Sequence, residues 1–186
     1  ALHLEINSQY TARSVEDLLA GQLDAAFVRS PLELDAAAQE QLEVLSLGSE
    51  PLVIAMPKSH RLTRRQRIRA AELADEPIVT GSPQRAPGFY RSLFSQIWGE
   101  RGPRVVLTEP DEEHMLRAVA AGTGLTILTE SRANAVQVPG VAIRPIVEPV
   151  PQAGLALTWL KANPSSALAS LVEVARAVMA ESPAGA

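Results

Sequence analysis

The sequence predicts an α/β fold, because short segments with strand character alternate along the chain with segments of helical periodicity. Residues 24–28 form a short apolar run that is typical of a buried strand. Before it, Val15, Leu18 and Leu19 recur at helical spacing, and Gly21 follows at a position where helices commonly end. This alternation favours layers of helices around a mostly parallel sheet.

The first part of the chain supplies most of the predicted strands. Residues 2–6 alternate apolar and polar side chains, as a half-buried strand does. Ser14 is the expected N-cap of the first helix, since Glu16 and Asp17 would then lie in its first turn. The other elements predicted here are strands over residues 24–28, 42–48, 51–57 and 76–81 and a short helix over residues 70–74.

The pattern then starts again with a helix that begins near Pro87. Asp111 is the expected cap of the next helix, and Gly122 is expected to end it. Ser165 or Ser166 is expected to cap the last helix. Strands are predicted over residues 104–109, 125–129, 141–147 and 155–160, with a helical turn or two after residue 130.

Composition places the chain among globular proteins. Of its 186 residues, 46% are hydrophobic and 20% are charged, which argues against disorder. The formal net charge of −4 does not favour nucleic-acid binding by the chain as a whole. Because the sequence has no cysteine, disulfides and thiolate metal sites are excluded and a reducing compartment is favoured. No apolar run approaches the ~18 residues of a membrane span.

The segment LRAVAAGTGLTILTES contains the pair of glycines Gly122 and Gly124, which suggests a phosphate-binding loop. Such a loop runs from a strand through glycines into the N-terminus of a helix, where free amides meet the phosphate. Here the order is reversed, because the helix ends at Gly122 and a strand follows at Leu125. Gly122 is therefore interpreted as a helix C-cap, and Gly124 as a turn into the strand.

The same helix–glycine–strand arrangement occurs in VEDLLAGQLDAAFVR, about 100 residues earlier. This weak repeat suggests two similar lobes. In open α/β sheets, ligands bind beyond the carboxyl ends of the strands, which here are Arg29 and Thr129. A cleft between two such lobes is predicted, and with it a binding function.

Four segments in this order resemble the effector-binding domain of LysR-type transcriptional regulators: LLAGQLDAAFVR, LEVLSLGSEPLVIAMPKSHRL, LADEPIVTG and LRAVAAGTGLTIL. The resemblance extends from about Leu4 to the final helix and so covers nearly the whole chain. It implies an α/β fold of two Rossmann-like lobes of the type II periplasmic-binding-protein kind, joined by a two-strand hinge.

The resemblance also implies a division of the chain into lobes. Lobe I is expected over residues 1–76 and 155–186, and lobe II over residues 77–154, with crossover strands near residues 76–80 and 149–155. Because the chain begins at once with an apolar alternation, we expect an N-terminal portion to be missing from it. In the family this portion holds a winged helix-turn-helix DNA-binding domain, a linker helix, and the first strand and helix of lobe I.

Arg29 and Thr11 are candidate ligand contacts in lobe I. Arg29 ends a strand in FVRSP, where a guanidinium suits a carboxylate, and this pattern resembles the LysR subgroup that responds to aromatic-pathway carboxylates. A structural ion pair is the alternative for Arg29. Thr11 follows the second strand of the family, where a pocket hydroxyl is expected; the alternative is a turn or capping residue.

The segment TGSPQRAPGF, residues 80–89, is the candidate contact region of lobe II. It runs from a strand through a loop into a helix, the polarity that anion binding requires. Ser82, Pro87, Gly88 and Phe89 are the expected contacts, and the alternative is an ordinary surface loop. Thr129, at the end of the strand LTILT, is expected to face this loop.

Other charged and nucleophilic residues carry no recognisable chemistry. The basic run PKSHRLTRRQRIR has no interleaved aromatic residues, so a solvated turn is favoured over a DNA-binding patch. His3, His60 and His114 lack metal-ligand spacing, and no G-x-S-x-G motif is present. The sequence therefore predicts no catalytic residue, no metal site and no cofactor.

Together these features predict a non-enzymatic effector-sensing domain of a LysR-type regulator, cytoplasmic and homodimeric or homotetrameric. It would bind a small organic ligand between its lobes, a carboxylate if Arg29 is the anchor and an aromatic one if the subgroup resemblance holds. DNA would be bound only through the helix-turn-helix domain of the full-length protein. A periplasmic-type solute-binding protein and a small enzyme on the same fold are the alternatives.

Overall fold

A computed structural model describes residues 4–136 and 138–181 of the chain. The chain divides into two compact units. Unit 1 comprises Ala1–Gly48 and Gly154–Ala186, and unit 2 comprises Ser49–Ala153. Among the described residues, no helix is both long and apolar enough to cross a membrane.

Unit 1 is built on an antiparallel pair of strands. Strand β1 pairs with β8 from Ala26 opposite Thr158 to Ser30 opposite Gly154. One core cluster joins β1 to helix α1 around Leu18, and another joins β8 to helix α6 around Leu157. The elements are α1 (Thr11–Leu19), β1 (Ala26–Ser30), α2 (Ala36–Gln41), the first part of β2 (Leu42–Pro57), most of β8 (Gln152–Leu160) and α6 (Ser166–Glu181).

Unit 2 contains the second part of β2 as a central strand. It pairs antiparallel with β6 on one side and with β7 on the other. A small parallel sheet of β4 and β5 connects to β6 through a parallel bridge between Ile78 and Leu125. The further elements are β3 (Ile68–Arg69), β4 (Pro77–Gly81), α3 (Pro87–Trp98), β5 (Arg104–Glu109), α4 (Glu112–Ala120), β6 (Thr126–Thr129), α5 (Glu130–Ala135) and β7 (Val141–Val147), with single 3-10 turns at Arg61–Arg64, Ala70–Leu73, Pro83–Arg85 and Gly99–Arg101.

The largest core cluster of unit 2 packs β2 against helix α3. Ile54 and Met56 of β2 are fully buried and belong to the same cluster as Trp98 of α3. The indole N–H of Trp98 donates a hydrogen bond of 2.9 Å to the carbonyl of Leu73, which satisfies the one polar group of this side chain. The second tryptophan, Trp159, packs against a core cluster of unit 1.

Three predicted elements differ in the structure. The strand predicted over residues 2–6 is absent from its described part, where Leu4 and Ile6 lie in irregular chain with exposed side chains. Helix α1 begins at Thr11, because the Tyr10 carbonyl already accepts the Ser14 N–H at 2.9 Å, so Ser14 is a buried residue within the helix and not its cap. The two strands predicted over residues 42–57 are one strand, β2.

The expectation of a mostly parallel sheet is wrong for the strands described. β1 with β8, and β2 with both β6 and β7, are antiparallel pairs. β3 with β7 and β4 with β5 form parallel pairs. Helix–strand alternation favours parallel crossovers, but it does not specify the partner of a strand such as β2, which pairs with strands far away in sequence.

The compact units are divided between residues 48 and 49 and between 153 and 154, whereas the predicted lobes, which stay a prediction, are divided at residues 76–77 and 154–155. The predicted second boundary, at residues 154 and 155, lies one residue from the observed one between Ala153 and Gly154. The first lies within β2, between Gly48 and Ser49, whereas the sequence placed it at residue 76. The reason is packing: Leu52, Leu62 and Leu73, which follow Ser49, are buried in the core cluster of unit 2.

The predicted helix caps are largely confirmed. The Asp111 carboxylate accepts the His114 N–H at 3.0 Å at the start of α4, and the Ser165 hydroxyl accepts the Leu168 N–H at 3.3 Å at the start of α6. Gly122 has φ 86° directly after α4, as a left-handed C-cap requires.

Candidate ligand-binding site

Thr11 and Arg29 lie together in unit 1. Thr11 is the first residue of α1, and its Oγ1 accepts the backbone N–H of Arg29 in β1 at 3.1 Å. Both residues are half-buried. The Thr11 hydroxyl is therefore neither a turn nor a cap of its own helix, since α1 has no side-chain cap and the hydroxyl bonds to a strand instead.

This bond uses only part of the hydrogen-bonding capacity of Thr11. A hydroxyl has one proton to donate and two lone pairs. In accepting the Arg29 N–H, Thr11 Oγ1 uses one lone pair and keeps its proton for an oxygen acceptor. Arg29 lies opposite Leu155 of β8 near the carboxyl end of β1 and takes part in a further interaction within the chain. A ligand contact and a structural role both remain predictions for its guanidinium.

In unit 2, the carboxyl ends of β4 and β6 lie at the same edge of the sheet. The parallel bridge between Ile78 and Leu125 aligns the two strands, so that Gly81 and Thr129 both end at this edge. Thr80 and Thr129 are buried. The structure thus brings two of the predicted regions together, as expected for strands that run in parallel.

The loop after β4 presents backbone amides rather than free side-chain donors. Ser82 Oγ donates to Gln84 Oε1 at 2.6 Å, so its proton is already engaged. Helix α3 begins at Pro87 with no side-chain cap, and its first intrahelical bond runs from the Tyr90 N–H to the Ala86 carbonyl at 3.0 Å. The N–H groups of Gly88 and Phe89 precede that bond and are those that an anion would meet.

Tyr90 is a candidate contact that the sequence reasoning missed. Its hydroxyl lies so close to Gly81 that a Cβ at position 81 would overlap it. The ring packs against Phe89 and Phe94, with centroid distances of 5.4 and 5.7 Å. The combination of a glycine at a strand end and a tyrosine in the following helix was the available signal, because only a glycine admits another group so close to the backbone.

Thr129 connects β6 to the start of α5. Its Oγ1 lies 3.3 Å from Ser131 Oγ, and the Ser131 N–H donates to Glu50 Oε2 at 2.9 Å. Thr129 precedes α5 but makes no side-chain cap bond to it. The Glu50 carboxylate takes that place at the N-terminus of the helix. A ligand contact by Thr129 remains a prediction.

Arginines of the basic run PKSHRLTRRQRIR form ion pairs with carboxylates that lie outside the run. Arg61 pairs with Glu76, and Arg65 and Arg69 pair with Glu72. The backbone N–H of Arg69 donates to Glu72, and this bond, with the two guanidinium groups, lowers the pKa of the Glu72 carboxyl below its ordinary value. These ion pairs agree with a solvated turn whose positive charges are partly neutralised by carboxylates of the same chain.

The histidines of the described residues are paired with carboxylates. His60 lies 3.3 Å from Glu76, and His114 lies 2.8 Å from Asp111. Within residues 4–136 and 138–181, no group of three acidic or histidine side chains has the geometry to hold a metal ion.

Comparison with known proteins agrees with the resemblance. A family model described as "LysR substrate binding domain" matches residues 1–180. The chain is 30% identical over 133 residues to the HTH-type transcriptional regulator AlsR of Bacillus subtilis (strain 168), covering 70% of this chain and 42% of AlsR. It is 31% identical over 156 residues to the HTH-type transcriptional regulator TtuA of Agrobacterium vitis, covering 81% of this chain and 49% of TtuA. The chain thus spans about half the length of the curated relatives it matches.

Solved structures with the same fold include OxyR and the effector-binding domains of QuiR and BenM. The oxidised form of OxyR has a TM-score of 0.74 at 25% identity and covers 96% of this chain and 81% of its own. The effector-binding domain of QuiR in complex with shikimate has a TM-score of 0.74 at 21% identity, covering 92% and 78%. The BenM effector-binding domain with benzoate has a TM-score of 0.71 at 22% identity, covering 92% and 76%. The predicted α/β fold of the periplasmic-binding-protein kind is confirmed.

Proposed function

The chain belongs to the LysR substrate-binding domain family, and from this premise we propose that it senses a small organic carboxylate for a LysR-type transcriptional regulator. The regulator would be cytoplasmic and oligomeric, a homodimer or homotetramer. It would bind DNA through a helix-turn-helix domain outside this chain. The sensing step is non-enzymatic, since it requires binding alone.

The observation that carries the proposal is the contact between Thr11 and Arg29. The bond of 3.1 Å from the Arg29 N–H to Thr11 Oγ1 brings a cation and a hydroxyl with its proton still available to the same end of β1. A carboxylate has two oxygens, so it accepts from a guanidinium and from a hydroxyl at the same time. A neutral ligand would gain less from this pair of donors.

The ligands of two structural neighbours support the same chemical class. QuiR is described in complex with shikimate, and BenM with its effector benzoate. Both molecules are monocarboxylates with a six-membered carbon ring. The binding of these molecules is a property of those proteins, and we extend the chemical class, not the identity of the ligand, to this chain.

In unit 2, we assign the contacts to the edge formed by the ends of β4 and β6. The N–H groups of Gly88 and Phe89, after Pro87, offer donors for a ligand oxygen. The hydroxyl oxygens of Ser82 and Thr129 offer lone pairs as hydrogen-bond acceptors for the ligand. Ser82 can only accept, because its proton is already donated to Gln84. The phenol of Tyr90 adds an aromatic surface to this group.

A ligand would control the regulator through differential affinity. It shifts an equilibrium between two arrangements only by as much as its binding free energy differs between them. No observation favours a periplasmic-type solute-binding protein or an enzyme, and the curated relatives are transcriptional regulators.

Isothermal titration calorimetry of this chain tests the proposal with benzoate, shikimate and succinate, and with benzamide as a neutral analogue. We expect a carboxylate to bind and benzamide to bind at least ~10-fold more weakly, since it lacks the charge that Arg29 recognises. Arg29→Gln should weaken carboxylate binding ~10-fold or more. Arg176→Gln, on the exposed side of α6 in the same unit, is the matched control and should leave it unchanged.

Two results contradict the proposal. One is a carboxylate affinity that is equal in the Arg29→Gln variant and the original chain. The other is an affinity for benzamide equal to that for benzoate, because the site would then recognise the ring and not the charge.

A further inference from the structure

An apolar groove in unit 2 lies apart from the residues assigned to the sensing function. Its volume is about 570 Å³, within the range of ~300–1,000 Å³ that is typical of small-molecule sites. It is lined by Leu116 of α4, Ala133 of α5, Val136 directly after α5, and Val141 and Ile143 of β7. Beneath these residues lies a core cluster that includes Val53 and Leu128, so the apolar surface is backed by packed protein.

Lys58 is the one charged residue among those that line the groove. It directly follows β2, and its backbone N–H donates to the Gly140 carbonyl at 2.8 Å. The neighbouring turn is closed by a bond of 3.1 Å from the Val141 N–H to the Val138 carbonyl. The backbone of Lys58 is thereby fixed beside the apolar wall, and its ammonium group lies on an exposed side chain at the rim.

The charge of Lys58 is not compensated by a carboxylate in the described part of the chain. The acidic residues of the adjacent helix α4 are engaged elsewhere: Glu112 pairs with Arg132, and Glu113 pairs with Arg117. Among the side chains that line the groove, Lys58 is therefore a single available cation and the others are apolar.

We propose that this groove is a second ligand site, which binds a small monocarboxylate with an apolar aryl or short alkyl body. The carboxylate meets the Lys58 ammonium, and the apolar body covers the surface of Ala133, Val141 and Ile143. Burial of the apolar body contributes in proportion to its area.

Nuclear magnetic resonance of the ¹⁵N-labelled chain tests this site directly, with benzoate and hexanoate as probes and benzamide as the neutral analogue. We expect both carboxylates to shift the amides of Ala133, Val136, Val141 and Ile143. Benzamide should bind there ~5-fold more weakly, as expected for the loss of one partly exposed ion pair.

Two variants separate the charge from the apolar wall. Lys58→Gln should weaken benzoate binding at these amides ~5-fold, whereas Arg64→Gln, an exposed cation that does not line the groove, should leave it unchanged. Ala133→Leu places a larger side chain in the groove at a helical position that accepts leucine, and it should abolish the shifts. The far-ultraviolet circular dichroism of that variant confirms that it is folded.

The outcome is independent of the function proposed above. Arg29→Gln should weaken the ligand-induced shifts of the amides of Thr11 and residue 29 and leave those of Val141 unchanged, so the amides of each site report on that site alone. Equal affinity for benzoate and benzamide, or an unchanged affinity in Lys58→Gln, overturns the second site. Shifts that grow with protein concentration in the absence of ligand also overturn it, because a second copy of the chain would then occupy the groove.

Discussion

The two helix–glycine–strand segments of the chain, α1–β1 in unit 1 and α4–β6 in unit 2, end their helices in the same way. After α1, the Gly21 N–H donates to the Leu18 carbonyl at 2.9 Å and the Gln22 N–H to the Asp17 carbonyl at 2.8 Å. After α4, the Gly122 N–H donates to Val119 at 2.9 Å, followed by Thr123 to Ala118 at 3.0 Å. Both are Schellman motifs, with φ 69° at Gly21 and φ 86° at Gly122.

Beyond the cap the two segments diverge. Phe27 of β1 is 61% exposed, whereas Leu128 of β6 is 4% exposed. The unit 2 segment also has Gly124, where a Cβ would lie 2.6 Å from the Pro77 carbonyl oxygen. The cap is therefore set by the local sequence, and the burial of the strand that follows is set by the elements that pack on it.

Among the variants that probe these two segments, Gly124→Ala should cause the largest loss in the free energy of unfolding. The added methyl group overlaps the Pro77 oxygen, and relief requires a shift of β6 that strains the bonds of 2.8 Å between Leu125 and Pro77 and between Val79 and Leu125. We expect a loss of ~3 kcal/mol in the free energy of unfolding. Urea denaturation measures it, and a loss no larger than that of Gly21→Ala would contradict the close approach.

Gly21→Ala and Gly122→Ala should have smaller and nearly equal effects. Neither position has an atom within 4 Å of an added Cβ, so the cost is that of a left-handed backbone alone. We expect each to lower the free energy of unfolding by ~1–2 kcal/mol. Unequal losses in urea denaturation would show that the two caps are not equivalent.

Thr11→Val and Thr129→Val compare the hydroxyls next to the two segments. Thr11→Val leaves the Arg29 N–H without its acceptor and should cost ~1 kcal/mol. Thr129→Val removes only a contact of 3.3 Å to the exposed Ser131 hydroxyl, which water replaces, and should cost about half as much. Serine at either position keeps the hydroxyl and is the control; a larger loss for Thr129→Val than for Thr11→Val contradicts this ranking.

The smallest effect on stability is expected at the starts of α1 and α4. At α4 this contribution depends on pH. Helix α1 has no side-chain cap, whereas Asp111 caps α4 and lies 2.8 Å from His114 Nδ1. The backbone and side-chain bonds from His114 lower the pKa of Asp111, and the bond to Asp111 raises the pKa of His114. The Asp111 contribution is lost as pH falls through its lowered pKa. The His114 contribution is fully present below its unfolded pKa and is lost as pH rises through the raised value.

Both contributions are thus present together between about pH 4 and 6.5. A ¹H–¹⁵N titration of the His114 ring should give a midpoint above its ordinary value. Asp111→Asn retains a capping side chain but removes the charge, and it should return the midpoint toward that value. An unshifted midpoint in the original chain would contradict the pair.

The elements of the fold were predictable wherever the signal was local. The caps at Asp111 and Gly122 depend on residues within one or two turns, and the sequence identified them. The start of α1 was misplaced, because Ser14 has the chemistry of a cap but lies where its side chain is buried. Strand partners were not predictable, since the pairing of Leu52 with Thr129 joins residues far apart in sequence.

In the candidate site, too, single residues were predictable from the sequence, whereas contacts between separate elements were not. Thr11 and Arg29 were both chosen from the sequence, but the bond that joins them depends on the packing of α1 on β1. Tyr90 was missed because a tyrosine next to apolar residues of a helix has the pattern of a core residue. Its place beside Gly81 is visible only when α3 has been set against the end of β4.

The bond from the Trp98 indole to the Leu73 carbonyl has a practical consequence. The chain has two tryptophans, and the structure places Trp98 in unit 2 and Trp159 in unit 1. Each unit therefore has its own intrinsic fluorophore. In a Trp159→Phe variant the remaining emission comes from a buried, hydrogen-bonded indole, so its red shift on denaturation follows the opening of unit 2, and Trp98→Phe gives the matching signal for unit 1.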